Sequence, residues 1–157
     1  MSRIGVISDT HDRLDKVREA VALFNRLKPD RVVHCGDVIA PFVLREMSGL
    51  SMPVVAVYGN CDGDRAALLQ QAEELGFALH NGPFGFGLGG KRVVVSHQPL
   101  SQLPDCDFYL HGHTHKLRHE GNHPVVVNPG EACGWLFGRS TAALLDTDTA
   151  EVEFLDL

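Results

Sequence analysis

The sequence predicts an α/β fold in which two β-sheets pack face to face with helices outside. Two observations carry this. The first half of the 157 residues alternates short apolar runs with segments of helical periodicity, the pattern of parallel βαβ units. The second half breaks into short strands separated by turns, which reads as largely antiparallel. A chain of this length hides about 68–70% of its unfolded surface, enough for one sizeable core. We therefore expect a single domain over 1–157, with no linker, repeat or low-complexity stretch.

Each element has a local reason. Ile4–Ile7 is an apolar run closing on Ser8 and Asp9, and reads as a buried strand. Residues 12–27 place Leu14, Val17, Val21, Phe24 and Leu27 at helical spacing, and Pro29 ends that helix. Arg31–Cys35 is the second strand and closes on Gly36–Asp37. Residues 41–48 form a short helix. Val54–Tyr58 is the third strand and closes on Gly59–Asn60. Residues 64–75 form another helix, with Leu68, Leu69, Ala72 and Leu75 apolar. Strands follow near 77–80, 83–88, 91–96, 107–110, 124–127, 140–145 and 151–155, and "DTDTA" at 146–150 turns the chain between the last two.

Composition excludes several classes. The chain is 44% apolar and 22% charged with a net charge of −6, and has no basic run suited to a broad nucleic-acid surface. No stretch nears the roughly 18 consecutive apolar residues of a membrane span, and the apolar start is too short for a signal peptide. The four cysteines, Cys35, Cys61, Cys106 and Cys133, form no CxxC pair, so we expect reduced thiols in the cytoplasm. Nine histidines stand against 14 Lys and Arg, and histidine is the commonest metal ligand.

The polar clusters sit where apolar strands end. Asp9 with His11, Asp37, and Asn60 with Asp62 follow the first three strands. Ser96–His97 follows "KRVVV" and "HGHTH" at 111–115 follows "DFYL". In open α/β sheets, ligands bind beyond the carboxyl ends of strands. One such cluster is most simply a turn or a helix cap; five delivering Asp, His and Asn to one rim look like a site. Asp9 and His11, one residue apart, can face one point. Asp37 can bridge two ions through its two carboxylate oxygens. His113 and His115 repeat the spacing and can serve different ions, and Asn60 and His97 add neutral O and N ligands. Carboxylate, amide and imidazole together suit Mn²⁺, Fe, Co, Ni or Zn²⁺ better than an all-oxygen calcium cage.

The ordered motifs "SDTHD", "HCGDV", "YGNCDGD", "SHQP", "HGHTH" and "NPGE" resemble the calcineurin-like metallophosphoesterases, most closely the compact prokaryotic phosphodiesterases of the YfcE-like group. The resemblance covers most of the chain and implies a four-layer α/β/β/α sandwich of two mixed sheets. It also implies two divalent ions, Mn²⁺ first and otherwise Fe, Ni, Co or Zn. Asp9, His11 and His115 would hold one ion; Asn60, His97 and His113 the other; Asp37 would bridge. A bridging hydroxide would attack phosphorus in line with the leaving alkoxide while the ions neutralise the phosphoryl oxygens. The expected catalytic set is Asp37, Asn60, Cys61, Asp62 and His97.

Cys61 departs from the family pattern. Most catalytic relatives carry there a histidine, oriented by the next aspartate, that protonates the leaving group. A thiol ionises near pH 8.5, and adjacent dications would favour its thiolate, a poorer donor. Cys61 then lines the pocket as a small residue or joins the ligands, and Asp62, with no histidine to orient, caps the helix starting near Asp64.

Other features read as structure. "GFGLGG" at 85–90 matches a nucleotide cradle only on paper, because a strand follows it and Arg92 stands where a P-loop needs Ser or Thr. His34 reads as a satisfied core residue, His111 as a neighbour of the site rather than a ligand, and His80, His119 and His123 as surface. Cys35, Cys106 and Cys133 read as small buried hydrophobes. Trp135 and Phe137 either line the pocket or simply pack. The expected activity is a phosphodiesterase acting on a small phosphate ester or diester, with a homodimer possible. The alternatives are a phosphomonoesterase on the same metals, or a non-catalytic scaffold of this fold that binds protein partners. The scaffold is disfavoured because all seven ligand positions hold competent residues.

Overall fold

A computed structural model describes all residues, 1–157. Its elements run β1 (Arg3–Ile7), α1 (Leu14–Leu27), β2 (Arg31–His34), α2 (Pro41–Met47), β3 (Val54–Val57), α3 (Arg65–Leu75), β4 (Ala78–His80), β5 (Phe84–Leu88), β6 (Lys91–Val95), β7 (Phe108–Leu110), β8 (Leu117–Glu120), β9 (Val125–Pro129), β10 (Thr141–Asp146) and β11 (Val152–Asp156). The three helices start and stop where caps allow. Asp64 accepts the Ala67 N–H ahead of α3, and Gly76 ends it in the left-handed conformation. Pro41 opens α2, where its missing N–H costs nothing.

The strands form two mixed sheets, ordered β11-β10-β1-β2-β3-β4 and β5-β6-β7-β9-β8. β1 to β4 are parallel, joined by the three helical crossovers. The period-2 alternation of these strands serves two cores. Val32, Val54 and Ala56 point toward the helices and meet Val17, Phe24, Leu44 and Leu68. Val33, Val55 and Val57 point the other way and meet Val93, Val95, Leu110 and Val127 of the second sheet. Burying each such side chain contributes about 1.5–3 kcal/mol, so the face-to-face arrangement follows from strands apolar on both sides.

The expected α/β/β/α sandwich is met in its two mixed sheets and its helical layer. All three helices lie on the first sheet. The outer face of the second sheet, with Val94, Cys106, Tyr109 and Val126, is covered by loop, Leu100 packing against it. The largely antiparallel second half is met in β5-β6, β8-β9, β1-β10 and β10-β11, and differs from expectation in three respects. The hairpin β5-β6 is antiparallel, but β6-β7 and β7-β9 are parallel. β4, β10 and β11 belong to the first sheet, with β10 antiparallel to β1. β8, an exposed strand of charged residues, was not anticipated. The glycine-rich 85–90 segment is the β5-β6 hairpin, as expected.

Candidate metal centre

Parallel pairing aims the carboxyl ends of β1, β2 and β3, and of β6, β7 and β9, at one rim. Asp9 and His11 follow β1, Asp37 follows β2, and Asn60 follows β3. His97 follows β6, His113 and His115 follow β7, and Glu131 follows β9. The loops that carry them are tightly wound. Nine non-glycine residues have positive φ, and seven of them are here: Asp9, His11, Asp12, Asp37, Ile39, His113 and His115. Each such residue costs about 1 kcal/mol or more, a cost tolerated where side-chain aim matters. Two motif glycines have a steric reason as well. A Cβ on Gly59 would overlap Oδ1 and the backbone of Asp37, and one on Gly112 would overlap Ser8 and Asp9.

The seven expected ligands converge. Asp37 Oδ2 lies 3.3 Å from Nε2 of both His11 and His97. Asp9 Oδ1 lies 3.2 Å from His115 Nε2 and 3.7 Å from His11 Nε2. Asn60 Oδ1 lies 2.8 Å from His97 Nε2 and 2.9 Å from His113 Nδ1. Asp37 was expected to offer both oxygens; only Oδ2 faces the histidines, because Oδ1 accepts the Cys61 N–H at 2.9 Å.

Ring orientation is set from behind. His97 Nδ1 lies 2.8 Å from the Cys35 carbonyl, a pure acceptor, so it carries the proton and leaves the Nε2 lone pair facing the cluster. His115 Nδ1 lies 2.6 Å from Glu131 Oε2, with the same consequence. Glu131 is 1% exposed and also accepts the backbone N–H groups of Leu136 and Phe137. Sequence reading gave Glu131 no role; the only signal was its place at the end of "NPGE".

The electrostatics are those of a site that gathers acceptors. Burial opposes the charge of Asp9 and Asp37, yet the facing histidines hold both carboxyls well below their usual range. Asp37 and then Asp9 push His11 up to about 10. His115 is raised chiefly by Asp9, and His97 is raised by Asp37 and Asp9 against its burial. The buried Asp9 Oδ1 and His11 Nε2 face charged neighbours at 3.2–3.7 Å but make no well-aligned hydrogen bond. An unmatched polar atom at that depth is expensive, and a cation amid these O and N donors removes the expense. The residues therefore fit divalent metal ions.

The remaining expectations divide. Cys61 is an exposed free thiol close to the ligand atoms of His11 and Asp37, and Asn60 Nδ2 donates to its sulfur at 3.4 Å. The little burial it has, then Asp37, raises its pKa. Asp62 is not the cap of α3; Asp64 is. Buried Asp62 instead accepts the N–H groups of Asp37 (3.0 Å), Gly59 (2.7 Å) and Ile39 (2.6 Å), locking two ligand loops together. His34 is buried and satisfied by Thr10 Oγ1 and the Gly36 N–H. His111 faces the Gly112 carbonyl and Arg118, away from the cluster. Cys35, Cys106 and Cys133 are buried, as expected. Trp135 and Phe137 are largely exposed, at 62% and 55%, yet Arg13 lies over the Trp135 ring and Lys116 over the Phe137 ring, and Phe137 lines a cavity that His115 shares.

Comparison with known proteins places the chain in a family. Residues 2–150 match the model of the calcineurin-like phosphoesterase superfamily domain. The chain is 34% identical over 160 residues to the phosphodiesterase MJ0936 of Methanocaldococcus jannaschii, covering 95% of each protein. A solved structure described as a novel archaeal phosphodiesterase superposes with a TM-score of 0.90 at 32% identity, over 99% of both chains. The phosphoesterase YfcE of E. coli shares the fold, with a TM-score of 0.74 at 19% identity over 98% of both chains.

Proposed function

The chain belongs to the calcineurin-like phosphoesterase superfamily, and from that premise we propose that it is a metal-dependent phosphodiesterase with a binuclear centre. One observation carries the reading: seven ligand-type side chains from five loops aim unprotonated or proton-exchangeable atoms at each other, with Asp37 Oδ2 shared between His11 and His97. Asp9, His11 and His115 make one ligand set, Asn60, His97 and His113 the other, and Asp37 belongs to both. Two divalent ions, Mn²⁺ first among them, would supply charge for the phosphoryl oxygens and lower the pKa of a coordinated water.

The chain's own residues do the rest. Asp62 holds the Asp37 and Gly59 loops at fixed separation, and so fixes Asp37 against Asn60. Cys35 and Glu131 keep His97 and His115 as lone-pair donors. Beside two divalent ions the Cys61 thiol would be drawn toward its thiolate, a poorer proton donor than the imidazole carried by relatives. Proton delivery to the leaving oxygen is correspondingly weak, which favours diesters with good leaving groups over monoesters. We place the enzyme in the cytoplasm with a small phosphate diester as substrate; no helix is long and apolar enough to cross a membrane.

Metal-stripped protein reloaded with Mn²⁺ should hydrolyse bis(p-nitrophenyl) phosphate faster than p-nitrophenyl phosphate. Turnover of neither, with any first-row divalent ion, removes the catalytic reading; the reverse order favours the phosphomonoesterase. Asp37→Ala should lose ion retention and at least about 10²–10³ in turnover, and an active variant would take Asp37 out of the proposal.

A further inference from the structure

We propose that the cleft beside Asn60 and His97 seats one ester substituent of the substrate, and that Arg65 selects a substituent bearing a second anionic group. The proposal rests on the phosphodiesterase reading above. The cleft has a volume of about 350 Å³ and is lined by Tyr58, Asn60, Arg65, Asn81, His97 and Gln98 among others. Small-molecule sites run from about 300 to 1,000 Å³, so this one suits a group of nucleoside size rather than a polymer. Two of its lining residues, Asn60 and His97, belong to the metal-ligand cluster. A substituent in the cleft is therefore contiguous with a phosphorus held at that cluster.

The other walls come from both sheets: Tyr58 follows β3, Asn81 follows β4, Gln98 follows β6, and Arg65 opens α3. Most of the lining residues carry a polar group beside apolar surface, which suits a substituent that both packs and hydrogen-bonds better than an alkyl one.

Arg65, though exposed, is positioned by neutral partners. Its Nε donates to the Asp62 carbonyl at 3.3 Å and its Nη1 to Asn81 Oδ1 at 3.2 Å. The guanidinium lies 4.8 Å over the Tyr58 ring, whose hydroxyl donates back to the Arg65 carbonyl at 3.2 Å. None of these contacts neutralises the charge. In a chain of net charge −6, this is a fixed cation on the wall of a cleft leading from the reaction centre. A planar guanidinium already ordered loses little freedom on pairing with phosphate. Asn81 turns its oxygen toward Arg65, which leaves both N–H groups of its amide free to donate. Both residues thus call for acceptor oxygens.

The test compares two p-nitrophenyl diesters with the same leaving group. Thymidine 5′-(p-nitrophenyl phosphate) carries a free 3′-hydroxyl, and its partner carries a 3′-phosphate. Wild-type enzyme should show a kcat/KM about five- to tenfold higher for the 3′-phosphate, the size expected for a charge-assisted contact partly open to solvent. In Arg65→Met the ratio should fall toward one; being a ratio, it does not depend on how much variant folds. Metal-free protein should likewise bind thymidine 3′,5′-bisphosphate more tightly than thymidine 5′-phosphate in calorimetry, and Arg65→Met should erase the difference. Equal kcat/KM values in the wild type, or a ratio unmoved by Arg65→Met, would overturn the subsite while leaving the phosphodiesterase standing. Hydrolysis of neither ester would overturn both.

Discussion

Glu131 Oε2 lies 2.6 Å from Nδ1 of His115, and the same buried carboxylate holds the N–H groups of Leu136 and Phe137. The imidazole we propose as a metal ligand and an exposed apolar loop are thus tied to one side chain. Partners behind a ligating histidine are typically worth about 10–100-fold in metal affinity. Glu131→Gln should weaken metal retention by that range in competition with a chromophoric chelator. Unaltered affinity would mean that the carboxylate serves the 134–138 loop alone.

Metal uptake should expel protons. Asp37 and Asp9 push His11 up to about 10 in the metal-free protein, so His11 carries a proton at any pH below that. A metal ion requires the neutral ring, so binding must release the proton. Affinity should therefore rise with pH, by about tenfold per unit for each proton released, through the neutral and mildly alkaline range, and level off near the raised pKa. Calorimetry in two buffers of different ionisation enthalpy reads the proton count directly. Binding that is flat from pH 7 to 9 would contradict the electrostatic picture.

Gly59→Ala should be costly although alanine is small. Its Cβ would enter the space of Asp37 Oδ1 and the Asp37 backbone, which is held in turn by Asp62. Overpacking of this kind costs about 1–3 kcal/mol. Urea denaturation should show a lower midpoint with an unchanged slope, and metal affinity should fall with it. A variant as stable as the wild type would show that the loop has room to give.

Cys61→His restores a side chain able to donate a proton at neutral pH. Its neighbourhood is ready for it: Asp37 accepts the Cys61 N–H, and the thiol is exposed. General acid catalysis contributes about 10²–10⁴-fold where it operates, and most for poor leaving groups. The variant should therefore raise monoester turnover relative to aryl diester turnover. An unchanged ratio would mean that Cys61 does not govern the choice.

Much of the site is legible in the sequence because its logic is local. A strand is an apolar run, its end is where polarity returns, and ligand types are readable one residue at a time. Asp9, His11, Asp37, Asn60, His97, His113 and His115 could each be singled out that way. Asp62 was misassigned for the same reason: an aspartate two residues before a helix looks like its cap. Only the fold reveals that its acceptors serve Asp37, Ile39 and Gly59 instead.

By itself, the sequence determined that two sheets form, where the helices run, and the chemistry available at the strand ends. Tertiary structure decided which ends meet. β6, β7 and β9 are joined by loops and a hairpin rather than by helices, so no local signal announces that they run parallel. That parallel pairing brings His97, His113, His115 and Glu131 to the rim occupied by Asp9, Asp37 and Asn60. The aim of each imidazole was equally beyond the sequence. Cys35 orients His97 from 62 residues away and Glu131 orients His115 from 16. Periodicity records which side of an element is buried. Direction, partner and hydrogen-bond polarity are properties of pairs, and they exist only once the chain has brought the pairs together.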